Sequence, residues 1–513
     1  MASFDVLIIG AGSAGSVLAA RLSERADVHV GLVEAGQPPA DPDIADPLKW
    51  PFLQGRAYDW AYATVPQAGT AGRVHPWPRG RIVGGSSCLH AMAHVRGHAD
   101  DFQHWAEVTG SRLWSYEGLL PGFRRSERFS RGVDAVHGGH GPLPVYLPCA
   151  EVSPVVRAYM DSGLGRGIPW IGEHNGGPLN GVAPNSLTIR EGRRVSAADA
   201  WLTPALGRPN LTLITGALVH RLILDGRRIV GALVEQGGRT APIHAGLVLL
   251  CAGAVASPLL LMRSGIGPEA VLKAAGIACC AHRAGVGQNL HDHLLTAGNV
   301  YRARRPVPPS KLQHSESLMY LNAQDPMRAE GAPDVVLGCV AAPSVSERLE
   351  APAYGSAYTL LSGVTHPTSR GSLAVTGPDL ADAPLIDPAY LSTENDRRLA
   401  RRALELAREI GHGAALKDWR AEEVHPGLDV QDAAGLDAFI ARAVITHHHP
   451  VGTCRMGADD GAVVDAELRL NGFEGAHVVD ASVIPAITSG PVHAAILAIA
   501  ETFAAEIAAP LLA

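Results

Sequence analysis

Aromatic side chains are scarce in this chain, at 5% of 513 residues, and charged ones reach only 18%. No basic run occurs, and the net charge is −7 with an isoelectric point near 6.4. A surface of that sign repels phosphate backbones and anionic lipid, which excludes nucleic acid and acidic membranes as expected partners. The seven cysteines lie at 88, 149, 251, 279, 280, 339 and 454 and include no C-x-x-C pair. Neither a disulfide framework nor a zinc knuckle follows, and a reducing cytoplasm is the expected compartment. No stretch of eighteen apolar residues is free of charge; even the apolar C-terminal stretch carries Glu501 and Glu506. No membrane span is therefore expected. No repeat of fixed period is present. What the chain has in plenty is glycine (57) and proline (37), the residues of turns and irregular loops. Its length suffices for two or three domains around a large core.

The glycines are not scattered evenly. Residues 4–15 read Phe-Asp-Val-Leu-Ile-Ile-Gly-Ala-Gly-Ser-Ala-Gly. An apolar strand over 6–9 runs into Gly10, Gly12 and Gly15 at G-x-G-x-x-G spacing. Gly10 permits a tight turn, Gly12 lets the backbone approach a pyrophosphate, and Gly15 lets the following helix pack close on the strand. The helix N-terminus offers unpaired N–H groups and a positive dipole end to phosphates. A second strand over 28–33 ends in Glu34, nineteen residues after Gly15. An acid there accepts from a ribose hydroxyl and repels a 2′-phosphate. Strand, glycines, helix, strand and acid in register predict a bound dinucleotide.

Beyond Gly36, residues 37–79 are rich in Pro, Asp and Trp without periodicity, an irregular excursion of the kind that covers a ligand. Residues 79–87 (Arg-Gly-Arg-Ile-Val-Gly-Gly-Ser-Ser) form a second glycine-rich turn, with helices expected from 100 and over 114–128. Strands are expected over 211–214, 217–224, 228–235 and 247–250. The last enters a strand-to-helix turn at Gly253, so one nucleotide-binding domain is assembled from separate stretches. Strands of another sheet are expected over 333–342 and 357–365, with a half-buried strand over 371–376. A charged amphipathic helix spans 393–410, and a final apolar helix 491–508.

Four further segments complete a pattern. They are 79–87 with Val-Arg-Gly-His-Ala-Asp-Asp-Phe at 95–102; Gly-Ala-Val-Ala-Ser-Pro-Leu-Leu-Leu-Met-Arg-Ser-Gly-Ile-Gly at 253–267; Val-Gly-Gln-Asn-Leu-His-Asp-His at 286–293; and His-Pro-Val-Gly-Thr-Cys-Arg-Met-Gly at 449–457 with Val-Asp-Ala-Ser-Val-Ile-Pro at 479–485. Together with the opening unit, and with His-Pro-Thr-Ser-Arg-Gly at 366–371 and Pro-Leu-Ile-Asp-Pro-Ala-Tyr-Leu at 384–391, the chain resembles the glucose–methanol–choline (GMC) family of FAD-dependent alcohol oxidoreductases across nearly its whole length. The resemblance implies an α/β fold. A Rossmann-like FAD-binding domain with a βαβ unit and a mixed sheet is expected from 1–150, 194–290 and 441–513. A substrate domain with a largely antiparallel sheet flanked by helices is expected from 151–193 and 291–440.

The same resemblance implies contacts to FAD from Gly10, Gly12, Ser13, Ala14, Gly15, Glu34 and Ala35. Arg81, Gly84, Gly85, Ser86, His90 and Ala91 are implied in the second turn, and Val219 where relatives bind adenine through a strand backbone. Ala252, Gly253, Asp480, Ala481, His493 and Ala494 complete the set. Some relatives tether FAD through a histidine just after the Ser-Ser pair; the matching position here is Leu89, so FAD is expected to be held non-covalently.

Oxidising an alcohol removes a hydroxyl proton and a hydride from one carbon. The flavin takes the hydride, and a neutral imidazole is the natural proton acceptor near pH 7. His449 occupies the family's histidine position, and His493 the second position, filled by His or Asn in most relatives and by Pro in some. His449 is the expected base, with His493 hydrogen-bonding the substrate oxygen. His447-His448-His449 and His291-x-His293 raise the question of a metal. Neighbouring side chains on an extended segment alternate between faces, so three in a row do not converge on one ion, and no metal site is expected. His447 and His448 are then packing neighbours, and His291 and His293 serve loop structure.

The expected substrate is a small primary alcohol, aromatic or heterocyclic, of the hydroxymethylfuran or pyridoxine kind, with oxygen or another acceptor reoxidising the flavin. Choline and sugars stand behind it; a quaternary ammonium wants aromatic faces that this chain has few of. The alternative from another class is a cyanohydrin-type lyase that keeps FAD as structure. A flavin disulfide reductase would need a redox cysteine pair and a second nucleotide fingerprint, and neither is present.

Overall fold

The computed structural model describes residues 3–512. Its first sheet has seven strands in the order Leu211–Ile214, Val30–Val33, Ser3–Ile9, Arg239–Leu250, Arg228–Gln236, Ala217–Asp225, with Ala476–Val478 also pairing on Arg239–Leu250. The strands around Ser3–Ile9 are parallel, and the last three form an antiparallel meander. The parallel strands are apolar on both faces and buried: Val6, Leu7, Val30, Leu32, Val248, Leu249 and Leu250 are all 0% exposed.

Register decides where this sheet can hold a ligand. Ile9 lies opposite both Val33 and Leu250, and Leu250 lies opposite Val478. The residues that leave these four strands are Gly10, Glu34, Cys251 and Val479–Asp480, all at one carboxyl edge, the place where open parallel sheets bind ligands.

The long strand Arg239–Leu250 is the main departure from the expected elements. Only its last four residues were foreseen. Residues 239–244 pair antiparallel with the meander, while 244–250 run parallel to Ser3–Ile9 on the other side, the two pairings meeting at His244. Two environments along one strand erase a single periodicity.

The second sheet is antiparallel throughout, in the order Arg420–His425, Leu294–Ala303, Ala357–Val364, Val335–Val340, Ser315–Leu321, Gly181–Pro184, with Val444–Thr446 also pairing on Leu294–Ala303. Helix Glu394–Gly411 lays its apolar stripe (Leu399, Ala403, Leu404, Ala407, Ile410) into the core beneath it. The strand Leu294–Ala303 has no expectation above. Gly298 and Asn299, residue types that favour turns, sit in the strand at a register shift, with Gly298 at φ +104°. Val444–Thr446 was placed by sequence with the cofactor-binding segments; its pairing with 294–296 puts it in this sheet.

The C-terminal helical stretch His493–Leu511 is long and apolar enough to cross a membrane by length and composition, and two-thirds of its apolar window is buried in the molecule. Glu501, at its middle, is 1% exposed. It accepts from Arg21 Nε and Nη2 at 2.9 Å and from Trp201 Nε1 at 2.9 Å, which fastens this helix to Ser13–Leu22.

Candidate active site and cofactor cleft

At the carboxyl edge of the first sheet lies a cleft of about 1480 Å³, counting the part open to solvent. Of the residues expected to touch FAD, Gly10, Gly12, Ser13, Ala14, Glu34, Ala35, Gly85, Ser86, Val219, Ala252, Gly253, Asp480 and Ala481 line it. Gly15, Arg81, Gly84, His90, Ala91, His493 and Ala494 do not line it. Gly15 serves packing instead: a Cβ there would stand 1.9 Å from the Gly10 carbonyl oxygen. Gly84, at φ +100°, turns the chain, and its N–H donates to Ala11 O at 2.7 Å.

The cleft has the features a dinucleotide needs. Helix Ser13–Leu22 begins at Gly12 with no side-chain cap, so its first amides face the cleft unpaired. A Cβ on Gly12 would meet nothing nearer than 3.9 Å, and one on Gly253 nothing within 4 Å. Both glycines therefore leave open space where a ligand backbone could lie. Each Glu34 oxygen takes one backbone N–H, from Ala11 (2.9 Å) and Gly36 (2.8 Å), which leaves lone pairs for a ribose hydroxyl. Burial pushes this carboxyl up to about 6. Asp480 differs: its oxygens accept from Gly253 N, Ser257 Oγ, Ser482 N and Ser482 Oγ. It braces the wall of the cleft with its acceptor sites already taken.

Sequence reasoning missed Trp60, Tyr62, Arg79, Gly80, Arg263 and Pro450, which also line the cleft. Trp60 and Tyr62 stack with ring centroids 5.9 Å apart, and the Arg81 guanidinium lies 4.9 Å from the Trp60 ring centre. Two aromatics two residues apart, in a chain with so few, were the available signal.

Pro450 and Arg79 join the cleft to a histidine cluster, and the second sheet builds that cluster. Leu294 pairs with Thr446, and His447 N–H donates to His293 O at 2.9 Å, extending the ladder. His291 and Val451 then exchange both backbone bonds. Between them residues 447–450 bulge, with His448 at φ +66° and its carbonyl held by Arg79 Nη2 at 2.8 Å. His447 and His449 therefore share a side, with ring centroids 4.3 Å apart, and the His293 ring lies 5.3 Å from that of His449.

One carbonyl fixes the protons of this cluster. His293 Nε2 lies 2.7 Å from Thr365 O, which can only accept, so Nε2 carries the hydrogen. Nδ1 of neutral His293 is then an acceptor. Its partner, 3.0 Å away, is His449 Nδ1, which must donate. The lone pair of His449 is left on Nε2. Burial holds His293 at about 3 and, with the neighbouring imidazoles, puts His449 well below the usual histidine range, so both rings are neutral near pH 7. Asp292 fixes the backbone: Oδ1 accepts from His449 N at 2.7 Å, while Oδ2 accepts from Tyr390 OH and Thr446 Oγ1 at 2.5 Å each.

One expectation needs correction here. His493 is not paired with His449. It opens the last helix, its ring meets His90 at 4.7 Å, and neither of its nitrogens has a partner among the described residues. Burial lowers it to about 3. The neighbours of His449 are His447 and His293. The placement of the three adjacent histidines is a separate finding. Alternation does separate His448 from its neighbours, but it puts His447 and His449 on one side, and His293 joins them, with one ligand atom from each within 4.8 Å of the others. The i, i+2 spacing of His447 and His449 was the sequence signal for this. His291 serves structure as expected, accepting from Ile487 N at 3.0 Å.

A further histidine ties the elements around the site. His366 Nε2 lies 2.8 Å from Asp101 Oδ1, and Asp101 also accepts from Ser489 N and Oγ. Against the opposing effect of burial, this contact raises His366 and lowers Asp101. The raised histidine stabilises the fold at pH below its unfolded value near 6.5 and loses that effect as pH rises through its folded value. The lowered aspartate contributes above its unfolded value near 3.9 and loses that effect as pH falls. The Tm difference between wild type and His366→Gln is therefore greatest near about pH 5.5 and narrows toward alkaline pH in a calorimetric series; a gap that widens there would contradict the pairing.

Comparison with known proteins places this geometry. The GMC oxidoreductase family models match residues 4–295 and 367–500, and the chain belongs to the GMC oxidoreductase family, whose members bind FAD. It is an FAD-dependent oxidoreductase of the class that acts on CH–OH donors. Its relatives include the pyridoxine 4-oxidase of Microbacterium luteolum, 54% identical over 98% of this chain and 99% of that protein. The oxygen-dependent choline dehydrogenase of Pseudomonas aeruginosa strain UCBPP-PA14 is 38% identical over 98% and 94%. Among solved structures, pyridoxine 4-oxidase from Mesorbium loti matches with a TM-score of 0.97 and 56% identity, covering 99% of both chains.

Proposed function

We propose that this protein oxidises a primary alcohol carried on a small aromatic heterocycle, of the pyridoxine kind, to the aldehyde, with oxygen as the electron acceptor. The observation that carries the reading is the fixed tautomer of His449 beside the FAD cleft; identity above one half to a pyridoxine 4-oxidase over the whole chain supports the substrate class. In the cleft, FAD supplies the two-electron acceptor for the hydride. The chain's residues handle the proton. His449 Nε2 receives it from the substrate hydroxyl, and the imidazolium that results keeps Nδ1–H on His293. His293 is a positioning residue, anchored by Thr365 O. Asp292 and Arg79 fix the backbone on either side of His448, so the ring has little freedom to turn away. His447, its ring tilted against that of His449 with centroids 4.3 Å apart, is placed to bond the substrate oxygen.

Choline fits less well. Asp292, the carboxylate beside His449, is buried behind Thr446, Tyr390 and the His449 amide, which keeps a bulky quaternary ammonium out of contact with it. The lyase alternative is set aside by the oxidoreductase relatives. The test is anaerobic mixing of the yellow protein with pyridoxine, hydroxymethylfurfural, benzyl alcohol, choline and glucose. Bleaching by the ring-borne alcohols, reversed by air, is expected; bleaching by choline alone would overturn the substrate class, and none by any alcohol would overturn the oxidation.

We further propose that FAD is held without a covalent bond. Leu89, at the tethering position, is buried with Ile44, Leu53, Ile82 and Cys88 and offers no nucleophile. Acid precipitation is expected to leave the yellow colour in the supernatant and a colourless pellet.

A further inference from the structure

We propose that His293, His447 and His449 form a binding site for a divalent transition-metal ion such as Zn²⁺, and that its occupancy switches off the base. The inference rests on the assignment of His449 above for its inhibitory part only; ion binding needs the geometry alone. Three imidazoles present one nitrogen each within 4.8 Å of the others. Imidazole nitrogen is a borderline ligand that suits zinc, copper and nickel, and three histidines with one open position form a familiar tetrahedral set. Zn–N bonds of about 2.0–2.1 Å put two ligating nitrogens of a tetrahedron about 3.3 Å apart. His293 Nδ1 and His449 Nδ1 stand 3.0 Å apart already, so the ion needs little rearrangement of that pair.

The anchor is rigid where it matters. Thr365 O keeps the His293 hydrogen on Nε2 and directs its Nδ1 lone pair into the cluster, the outer hydrogen bond that orients many metal-bound histidines. His447 and His449 are half-buried, so an ion can reach them. The proton inventory explains the inhibition. In the metal-free cluster the hydrogen of His449 is on Nδ1 and its lone pair on Nε2. When Nδ1 binds the ion, that hydrogen moves to Nε2 through solvent, and no proton is gained or lost overall. His449 then has no lone pair left to accept the hydroxyl proton. No carboxylate belongs to the set, so hard cations such as Mg²⁺ and Ca²⁺ are excluded.

The experiment is equilibrium dialysis of the FAD-loaded protein against ZnCl₂, with zinc and flavin measured on the same sample, followed by anaerobic reduction with the best alcohol. One zinc per chain is expected, weakened at least tenfold in both His447→Ala and His293→Gln. MgCl₂ should leave reduction unchanged where zinc slows it. The flavin absorbance of each variant reports that it has folded. No uptake by wild type, or uptake unchanged in both variants but abolished by Cys279→Ser/Cys280→Ser, would overturn the site. Uptake with the expected variant pattern but undiminished flavin reduction would overturn the inhibition and, with it, the assignment of His449. Zinc binding in a protein that no alcohol reduces would leave the site standing and remove the alcohol oxidation, so the two failures are distinguishable.

Discussion

His449→Ala yields a yellow, folded protein whose flavin is reduced by alcohol at least about a hundredfold more slowly, the lower end of what a positioned general base supplies. Colour survives because His449 does not line the cleft; its neighbour Pro450 does. Folding survives because the side chain makes a single hydrogen bond, to His293. The loss falls on the reductive step, read by stopped-flow bleaching in the absence of oxygen. His293→Gln gives a smaller loss, because glutamine can still accept from His449 Nδ1 while holding the ring less firmly. A larger loss in His293→Gln than in His449→Ala would mean that His293, not His449, takes the proton. Unchanged reduction in His449→Ala would remove the base assignment.

Two neighbouring glycines separate folding from cofactor binding. Gly15→Ala places its new carbon 1.9 Å from the Gly10 carbonyl oxygen, a backbone atom that cannot step aside. The helix must lift from the strand, at a cost of about 3 kcal/mol, and both the apoprotein Tm and the yield of yellow protein fall. Gly12→Ala meets no protein atom nearer than 3.9 Å. Its apoprotein stays within about 1 kcal/mol of wild type, the scale of an N-cap change. It loses FAD affinity at least about tenfold, or about 1.4 kcal/mol, because the methyl occupies the room left for the pyrophosphate. Fluorescence titration of the deflavinated proteins with FAD, beside their melting curves, separates the two outcomes. Wild-type affinity in Gly12→Ala would mean that the diphosphate lies elsewhere.

The cofactor cleft was largely legible in the sequence because its parts are local. A strand, three glycines, a helix start and an acid sit within thirty-five residues, and each glycine answers to a short-range requirement. The histidine cluster was not, although every member had been noticed. His293 and His449 are 156 residues apart. They meet because 294–296 pairs with 444–446, and the strand that brings His293 there contains Gly298 and Asn299, residue types that favour turns and hide a strand from local reading. His493 was drawn toward His449 by likeness to relatives, and in the fold it faces His90. The cleft's aromatic wall was overlooked for a similar reason: Trp60 and Tyr62 lie in a stretch without periodicity, where nothing local tells which way a ring points.

Sequence alone settled the dinucleotide edge and the family, since spacing over a few residues determines whether a chain can turn tightly, begin a helix or leave room for a phosphate. Tertiary structure alone decided which imidazoles stand together and which nitrogen holds the lone pair. Those depend on strand register between distant segments and on one carbonyl, Thr365 O, that can only accept a hydrogen bond.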